Sequence, residues 1–508
     1  MCVIMITCNI CDIFTERRMK NMKNKKIWFI TGGQHLYGTD AFAEMNAHSA
    51  EIAAHLDSKL PVGVISKGLV TLPDEIAAVF KAANADDECI GVITWMHVFS
   101  PSKMWITGFN MLQKPLLHLH TQYNKEIPWD SIDMDFMNLN QSAHGDREHG
   151  FIATRMGMAR KVVAGHWSTD RVAKEIEAWA RAAAGYDFSK KLKVARFGDN
   201  MRYVAVTEGD KVEAEIKFGW QVNGYGVGDL TDVIATVTDE EVEAQMAVYN
   251  ERYEMNTDDV NAVREQALYE VGIRKFLDKG NYKAFTTTFE DLHNLNQLPG
   301  LAVQNLHCDG YGFGGEGDWK TSALTAIMKY MAQGKDGGTL FMEDYTYHLE
   351  DGNEMALGAH MLEVCPSIAA TKPKIEVHPL GIGGKNPPAR LVFDSKQGDA
   401  VAATIIDMGN RFRMIVCTME VVENTHKMPK LPVASVLWKP HPDLATSAEC
   451  WIYAGGAHHT CLSTALGVDE LRDFARMCDM EFVLIDKNTD VNQLQKELFY
   501  NDIVYKLK

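Results

Sequence analysis

Carboxylates and imidazoles occur in four short segments of this chain, and together they could bind a divalent metal ion. Glu316 lies in a glycine-rich stretch, and Glu343 follows an apolar run. His360 stands within a largely apolar stretch, and His458 and His459 follow two consecutive glycines. Carboxylate oxygens and imidazole nitrogens without thiolates suit Mn²⁺, whereas Zn²⁺ is more often held by four nitrogen and sulfur ligands. The four segments therefore predict an enclosed small-molecule site that contains a metal.

The glycine-rich segment has two further interpretations. Gly310, Gly312 and Gly315 match the G-x-G-x-x-G pattern, which indicates dinucleotide binding only when it directly follows a strand. Residues 304–309 do not resemble a strand, so we favour tight turns that deliver Glu316 into a crowded site. The simpler alternative is a glycine-rich start of a helix, where the charge of Glu316 favours the helix dipole.

The segment at residues 341–348 predicts a strand with two adjacent acids. Alternation places Glu343, Tyr345 and Tyr347 on one face of this strand. Asp344 and His348 then lie on the opposite face. A strand that emerges into solvent would explain the same residues, just as a core histidine or a polar loop would explain the imidazoles. None of the four segments is decisive alone.

The elements that must position these groups change in character along the chain. Apolar runs at residues 26–32, 62–65, 90–96 and 115–120 alternate with helical patterns, which predicts a parallel sheet with helices on both faces. Ligands collect at the carboxyl ends of such strands, where Gln34, His35 and His97 lie. Residues 154–184 have a mostly helical pattern.

Beyond a boundary near residue 186 the chain continues as α/β, with predicted helices at 240–253 and 258–277 and a strand at 284–289. After residue 336 short β-type runs separated by Gly and Pro predict a mostly antiparallel, barrel-like domain. The fold class predicted is thus α/β, with two doubly wound parallel-sheet domains followed by a C-terminal β-rich, barrel-like domain.

Composition restricts the function classes. The 508 residues are 46% hydrophobic and 23% charged, which is typical of globular proteins and argues against disorder. The net charge of −17 argues against nucleic-acid and anionic-membrane partners. Ten scattered cysteines favour a reducing cytoplasm. Residues 1–15 lack the features of a signal peptide, and we expect the first ~18 residues to be an extension that precedes a start at Met19 or Met22.

The sequence resembles the L-arabinose isomerase family from about Lys26 onward, through long motifs in one order. These motifs are GQHLYG (33–38), FSPSKMW (99–105), PWDSIDMDFMNLNQ (128–141), FGDNMR (197–202), TTTFEDL (286–292), GEGDWK (315–320), FMEDYTYH (341–348), HMLEVCPS (360–367) and GGAHHT (455–460). The resemblance implies an aldose–ketose isomerase that converts L-arabinose to L-ribulose in L-arabinose catabolism.

The resemblance also implies a site. The metal ligands would be Glu316, Glu343, His360 and His459, with one Mn²⁺ per subunit that Co²⁺ could replace. The two glutamates would also be the catalytic acid–base groups. The further residues implied to line the sugar site are Gln34, His144, Met201, Phe289, Met361 and His458. In the family, the N-terminal domain of one subunit helps to close the site of a neighbour, so a cytoplasmic homohexamer with sites at subunit interfaces is expected.

The domains implied are an extension at 1–25 outside the fold, an N-terminal α/β domain at 26–186, a central α/β domain at 187–336 that carries Glu316, and a C-terminal β-rich domain at 337–508 that carries the other three ligands. Three alternatives remain at this point. They are an isomerase for another aldose such as L-fucose or D-galactose (giving D-tagatose), a metal-dependent hydrolase, and a sugar-binding module without catalysis.

Overall fold

The computed structural model describes residues 22–426 and 428–507. The predictions for residues 1–21 fall outside these residues. Of the predicted extension at 1–25, residues 22–25 are described, and Met22 is buried while Lys25 forms an ion pair with Asp187 at 2.6 Å. The chain divides into two compact units. Among the described residues, the N-terminal unit comprises 22–187 with Arg472–Met477, and the main unit comprises 188–426, 428–471 and 478–507.

The N-terminal unit contains a five-stranded parallel sheet in the order β2-β1-β3-β4-β5. Its strands are β1 (Lys26–Gly32), β2 (Gly63–Val70), β3 (Cys89–Met96), β4 (Leu116–His120) and β5 (Lys161–Ala164). Its helices are α1 (Gly38–Lys59), α2 (Pro73–Ala85), α3 (Ile106–Met111), α4 (Met134–Leu139), α5 (Ser142–Arg155) and α6 (Asp170–Ser189). All eight residues of β3 are buried, as expected for the middle strand of a parallel sheet covered on both faces.

Strand β5 corrects the prediction of a mostly helical segment at 154–184. This strand has four residues and lies between two helices, so a window long enough to detect helical periodicity averages it away. The four predicted strands are present, and β5 extends the same sheet beside β4.

The first part of the main unit has a four-stranded parallel sheet in the order β10-β9-β6-β7. Its strands are β6 (Lys193–Phe197), β7 (Gln221–Tyr225), β9 (Ala284–Thr287) and β10 (Gly312–Gly314), and β8 (Glu254–Met255) pairs elsewhere. Its helices are α7 (Lys211–Phe218), α8 (Val227–Ile234), α9 (Asp239–Arg252), α10 (Val260–Gly280), α11 (Gly300–Cys308) and α12 (Trp319–Met331). The G-x-G-x-x-G pattern surrounds β10 and follows helix α11, so it does not have the strand-then-turn placement that dinucleotide binding requires.

The second part of the main unit is a closed barrel of six antiparallel strands, in the order β15-β18-β11-β12-β17-β16, with β16 pairing back to β15. These strands are β11 (Thr339–His348), β12 (Met355–Ala359), β15 (Gly398–Asp407), β16 (Phe412–Val422), β17 (Val436–Pro440) and β18 (His459–Ser463). The remaining strands and α-helices of the described residues are β13 (Lys374–Val377), β14 (Ala389–Val392), β19 (Glu481–Ile485), α13 (Leu444–Tyr453), α14 (Val468–Met477) and α15 (Val491–Leu507). Residues Arg472–Met477 of α14 belong to the N-terminal unit. The predicted fold class, with parallel sheets followed by a β barrel, is confirmed.

Strand β11 contains a bulge that corrects the predicted alternation of its side chains. Its register to β12 shifts between Asp344 and Thr346, so Tyr345 has no paired residue. An extra residue in one strand reverses the faces of the residues that follow it. Tyr347 therefore shares a face with Asp344, and both line one small cavity within the barrel, whereas the sequence placed Tyr347 beside Glu343.

Helices of the described ranges are all too short or too polar to cross a membrane.

Candidate metal centre

Three side chains from separate parts of the main unit converge. Glu316, His360 and His459 each present a possible ligand atom, and these atoms lie within 4.8 Å of one another. Glu316 is in the turn between β10 and α12, His360 follows the last residue of β12, and His459 begins β18. Both imidazoles are buried, and Glu316 is half-buried.

The backbone at Glu316 has an uncommon conformation. Its φ is +60°, and Gly317 follows with φ +78°. Residues other than Gly rarely have a positive φ. Where they do, neighbouring contacts stabilise the conformation, and such residues often lie at functional sites. Here the Met201 amide donates a hydrogen bond to the Glu316 carbonyl at 2.9 Å, and the Gly317 amide donates to the Thr287 carbonyl at 3.1 Å. These two bonds hold the main chain of the turn that carries Glu316.

Gly315 provides the space that His360 occupies. A Cβ atom at this position would lie 2.9 Å from His360 Cε1 and 3.0 Å from His360 Nε2. Contacts this close would force the imidazole to move. The absence of a side chain at Gly315 therefore lets the Glu316 turn approach the ring.

Each buried histidine is oriented by a carboxylate on its other ring nitrogen. His360 Nδ1 donates to Glu363 at 2.6 Å, and His459 Nδ1 donates to Asp318 at 3.1 Å. The Nε2 atoms are left for the centre, and His459 Nε2 lies 3.7 Å from Glu316 Oε2. Metal-binding histidines typically have such partners, which fix the tautomer and raise the basicity of the ring.

Asp318 and Glu363 were not identified from the sequence, although both have a local signal. Glu363 lies three residues after His360, and its carboxylate also accepts the Leu362 amide at 2.9 Å. Asp318 caps helix α12 by accepting the Thr321 amide at 3.1 Å. Two sequence patterns would have indicated them. Glu363 is an acid three residues after the candidate ligand His360, and Asp318 is an acid at a helix cap close to the candidate ligand Glu316.

Glu343 faces the same centre from β11. It is the register partner of His459 on β18 and of Ala359 on β12, so its Cα lies between the segments that carry the two imidazoles. Its carboxylate is outside the group of three within 4.8 Å. Burial opposes protonation of His360, but the charges of Glu363, Glu343 and Glu316 outweigh burial and raise the pKa of His360.

Two carboxylates of the centre, those of Glu316 and Asp318, have lowered pKa values. Burial opposes ionisation of Glu316, but a hydrogen bond from His458 and the charges of the neighbouring imidazoles outweigh it and lower the pKa of Glu316. Burial acts the same way on Asp318, yet Lys320 and His459 lower the pKa of Asp318 to about 2. The centre is therefore rich in negative charge as well as in imidazole nitrogens.

The donor set fits a divalent cation. His459 Nε2 is completely buried and has no hydrogen-bond partner among the described residues, which costs free energy unless something binds there. The convergence of this nitrogen with His360 Nε2 and a carboxylate oxygen forms a site that a divalent ion would satisfy. The prediction of a metal site formed by carboxylate and imidazole groups is thus supported.

Four predicted sugar contacts lie in the main unit. His458 Nε2 is 3.5 Å from Glu316 Oε2, and the Met201 backbone binds the Glu316 carbonyl. Phe289 and Met361 are half-buried and pack against one apolar cluster that includes Phe341. The side chain of Phe341 contacts the imidazoles of His360 and His459, with ring centroids 4.6 Å and 5.0 Å apart, respectively.

Gln34 and His144 belong to the N-terminal unit. Gln34 follows β1, and its Nε2 is buried without a hydrogen-bond partner in the described part of the chain. His144 is exposed on α5, and its ring stacks on Phe99 with centroids 4.5 Å apart. Neither residue belongs to the cluster around Glu316.

Comparison with known families accounts for nearly the whole chain. Residues 21–191 match the model of the L-arabinose isomerase N-terminal domain. Residues 193–334 match the model of the L-arabinose isomerase central domain, and residues 338–481 match that of the L-arabinose isomerase C-terminal domain.

Individual relatives agree along nearly their full length. The L-arabinose isomerase of Geobacillus stearothermophilus is 58% identical over 496 residues, which cover 96% of this chain and 100% of the relative. That of Anoxybacillus flavithermus is 58% identical over 94% of this chain and 97% of its own. That of Herpetosiphon aurantiacus is 55% identical over 96% of this chain and 99% of its own.

Proposed function

This chain belongs to the L-arabinose isomerase family and is an aldose–ketose isomerase, and from that premise we propose that it converts L-arabinose to L-ribulose with Mn²⁺. The observation that carries the proposal is the convergence of Glu316, His360 and His459, with a carboxylate behind each imidazole. Carboxylate and imidazole ligands without thiolates favour Mn²⁺ over a four-coordinate zinc site. Glu343 is the fourth ligand of the proposal, because it is paired in register with His459.

The reaction moves the carbonyl of the sugar from C1 to C2. It requires loss of the C2 proton, gain of a proton at C1, and transfer of a proton between O1 and O2. The chemistry that a bound Mn²⁺ supplies is stabilisation of negative charge on the sugar oxygens. Glu316 and Glu343 divide the proton transfers between carbon and oxygen, and the enediol is the intermediate.

The test of metal dependence compares chelator-treated protein with the same protein after Mn²⁺ is restored. Ketose formation from L-arabinose should disappear on chelation and return with Mn²⁺, or in part with Co²⁺. L-fucose and D-galactose are assayed in parallel. If either is turned over faster than L-arabinose, that aldose is the preferred substrate instead. Full activity of protein shown by elemental analysis to be metal-free would refute the mechanism.

The acid–base roles are tested by Glu316→Gln and Glu343→Gln at saturating Mn²⁺. Each substitution keeps the size of the side chain and removes its ability to accept a proton. Turnover should fall by about 10²–10⁴-fold even when the metal is bound, because that is the usual contribution of a general acid–base group. In D₂O the wild-type product should carry deuterium on carbon. Near-normal turnover of both variants, together with unlabelled product, would leave the glutamates as ligands only.

The assembly we propose is a cytoplasmic homohexamer that serves L-arabinose catabolism, in which Gln34 and His144 reach the centre of a neighbouring subunit. Two features of the N-terminal unit support an interface. Helix α4 has no buried residue, and Trp129 in the preceding segment is 78% exposed. Apolar surface of this kind usually marks a contact with another protein surface.

A further inference from the structure

Lys320 is a completely buried lysine that binds three consecutive carbonyl groups. Its Nζ donates to the carbonyls of Val206 at 3.0 Å, Thr207 at 3.0 Å and Glu208 at 2.5 Å. The side chain is 1% exposed. The carboxylate of Asp318 lies 3.7 Å from the same nitrogen.

These contacts use the whole donor capacity of the ammonium group, which has three N–H bonds. A buried ammonium is costly unless it is both paired and hydrogen-bonded, and here it is both. Asp407 and Glu208 add negative charge nearby. Lys320 has no donor left for a substrate, so its role is to position other groups rather than to react.

Lys320 is connected to Glu316 by hydrogen bonds through residues 200–208. Asn200 Nδ2 donates to the Thr207 carbonyl at 2.7 Å and to the Gly317 carbonyl at 3.1 Å. The Thr207 carbonyl is thus shared by Lys320 and Asn200. Met201 follows Asn200 in the sequence, and its amide donates a hydrogen bond to the Glu316 carbonyl. Fixing this segment therefore fixes the turn in which Glu316 has its left-handed backbone conformation.

Lys320 is also connected to His459, through the carboxylate of Asp318. Asp318 accepts a hydrogen bond from His459 Nδ1 at 3.1 Å. It also accepts the Thr321 amide at 3.1 Å and the Thr321 hydroxyl at 2.7 Å, and its carboxylate lies 3.7 Å from Lys320 Nζ. We propose that Lys320 is a positioning residue that links the two ligand-bearing segments, holding Glu316 through residues 200–208 and His459 through Asp318. The proposal rests on the metal site put forward under the proposed function.

Lys385 offers a matched control. Its Nζ also donates to three main-chain carbonyls, those of Leu292 at 2.6 Å, Leu295 at 2.6 Å and His293 at 3.3 Å. These carbonyls belong to a loop that carries none of the proposed ligands. Lys320→Met and Lys385→Met each remove a side chain that binds three main-chain carbonyls, and of the two only Lys320 also lies 3.7 Å from Asp318, the carboxylate that binds His459.

The experiment measures Mn²⁺ affinity of the metal-free full chain by titration, together with the melting temperature with and without Mn²⁺. Lys320→Met should bind Mn²⁺ about 10–100-fold more weakly than wild type, the range typical for residues that support metal ligands. Its melting temperature should also rise less on addition of Mn²⁺. Lys385→Met should lose melting temperature without metal but keep the wild-type affinity.

Asn200→Ala is the second variant, because Lys320→Met could fail to fold. It cuts the link between the Thr207 and Gly317 carbonyls while Lys320 remains, and its Mn²⁺ affinity should also fall. Wild-type affinity in Lys320→Met, or in Asn200→Ala if Lys320→Met does not fold, would overturn the positioning role alone. An equal loss of affinity in Lys385→Met would overturn it as well. Failure of the wild-type chain to bind Mn²⁺ would instead overturn the metal site of the proposed function.

Discussion

The two imidazoles of the centre depend on carboxylates that lie behind them. The hydrogen bond between His360 and Glu363, at 2.6 Å, is short and charge-assisted, and both groups are buried. A carboxylate in this position keeps the proton on Nδ1 and leaves the Nε2 lone pair for a metal. The basicity of His360 is thus set partly by Glu363.

Glu363→Gln should weaken Mn²⁺ binding by about 10–100-fold, because it keeps the shape of the side chain but removes the charge that supports His360. The measurement is a Mn²⁺ titration of metal-free protein. The control is Glu376→Gln, since Glu376 forms a similar 2.7 Å pair with His378 away from the centre. Equal affinity of wild type and Glu363→Gln would show that the orientation of His360 does not depend on that charge.

Three neighbouring barrel strands bring most of the centre together. The order β18-β11-β12 sets Glu343 opposite His459 on one side and opposite Ala359 on the other. Cα atoms of paired residues in antiparallel strands are about 4.5–5.5 Å apart, so register alone places these side chains in reach of one another. A shift of one residue would turn Glu343 to the opposite face, and the closed barrel resists such a slip.

A buried imidazole outside the centre, that of His97, directly follows β3 in the N-terminal unit, and its pKa is lowered rather than raised. His97 stacks on Trp95 and forms a 2.7 Å hydrogen bond with His48. Burial lowers the pKa of His97 to about 3, and the neighbouring His48 adds to that shift. Burial likewise lowers the pKa of His48 itself. The folded state therefore keeps this pair neutral at pH values where an exposed histidine is charged.

The stability of the N-terminal unit should consequently fall as the pH decreases below about 6.5. In that range the unfolded chain binds a proton at His97 and the folded chain does not, so protonation favours unfolding, by roughly 2 kcal/mol at pH 5. Amide hydrogen exchange of β3 at pH 7 and pH 5, corrected for intrinsic rates, measures the loss. His97→Gln should lose less stability than wild type between pH 7 and pH 5. An equal loss in wild type and His97→Gln would contradict the assignment.

The division of residues between two compact units bears on the assembled protein. Glu316, His360 and His459 belong to the main unit, while Gln34 and His144 belong to the N-terminal unit. In the proposed hexamer each centre combines the main unit of one subunit with the N-terminal unit of its neighbour. Lesions in the two units would then affect different sides of each shared site.

Mixing two inactive chains tests this arrangement. One chain carries Gln34→Ala and His144→Ala, and the other carries Glu316→Ala. Mixed oligomers should regain part of the wild-type activity, because some interfaces contain no lesion. Glu316→Ala mixed with His459→Ala is the control and should stay inactive, since every centre then carries a lesion in its main unit. No recovery in oligomers shown by native mass measurement to be mixed would indicate self-contained sites.

Several features follow from the sequence alone, because they depend on local composition or on long motifs. Alternating apolar runs predicted the parallel sheets, and short runs separated by Gly and Pro predicted the barrel. Motifs such as GEGDWK and GGAHHT pointed to Glu316 and His459, and they led to the family that the comparisons confirm. The choice of ligands came from that resemblance, since each segment alone also had a simpler explanation.

The tertiary structure decided what depends on contacts between distant parts of the chain. Asp318 meets His459 across 141 residues, and Lys320 meets the Thr207 carbonyl across 113. The unpaired Tyr345 in β11 reversed a face that simple alternation had assigned. Local periodicity reports which residues share one face of an element. Hydrogen bonds between elements and the register of a closed barrel are set only when those elements pack, because their partners have no fixed spacing in the sequence.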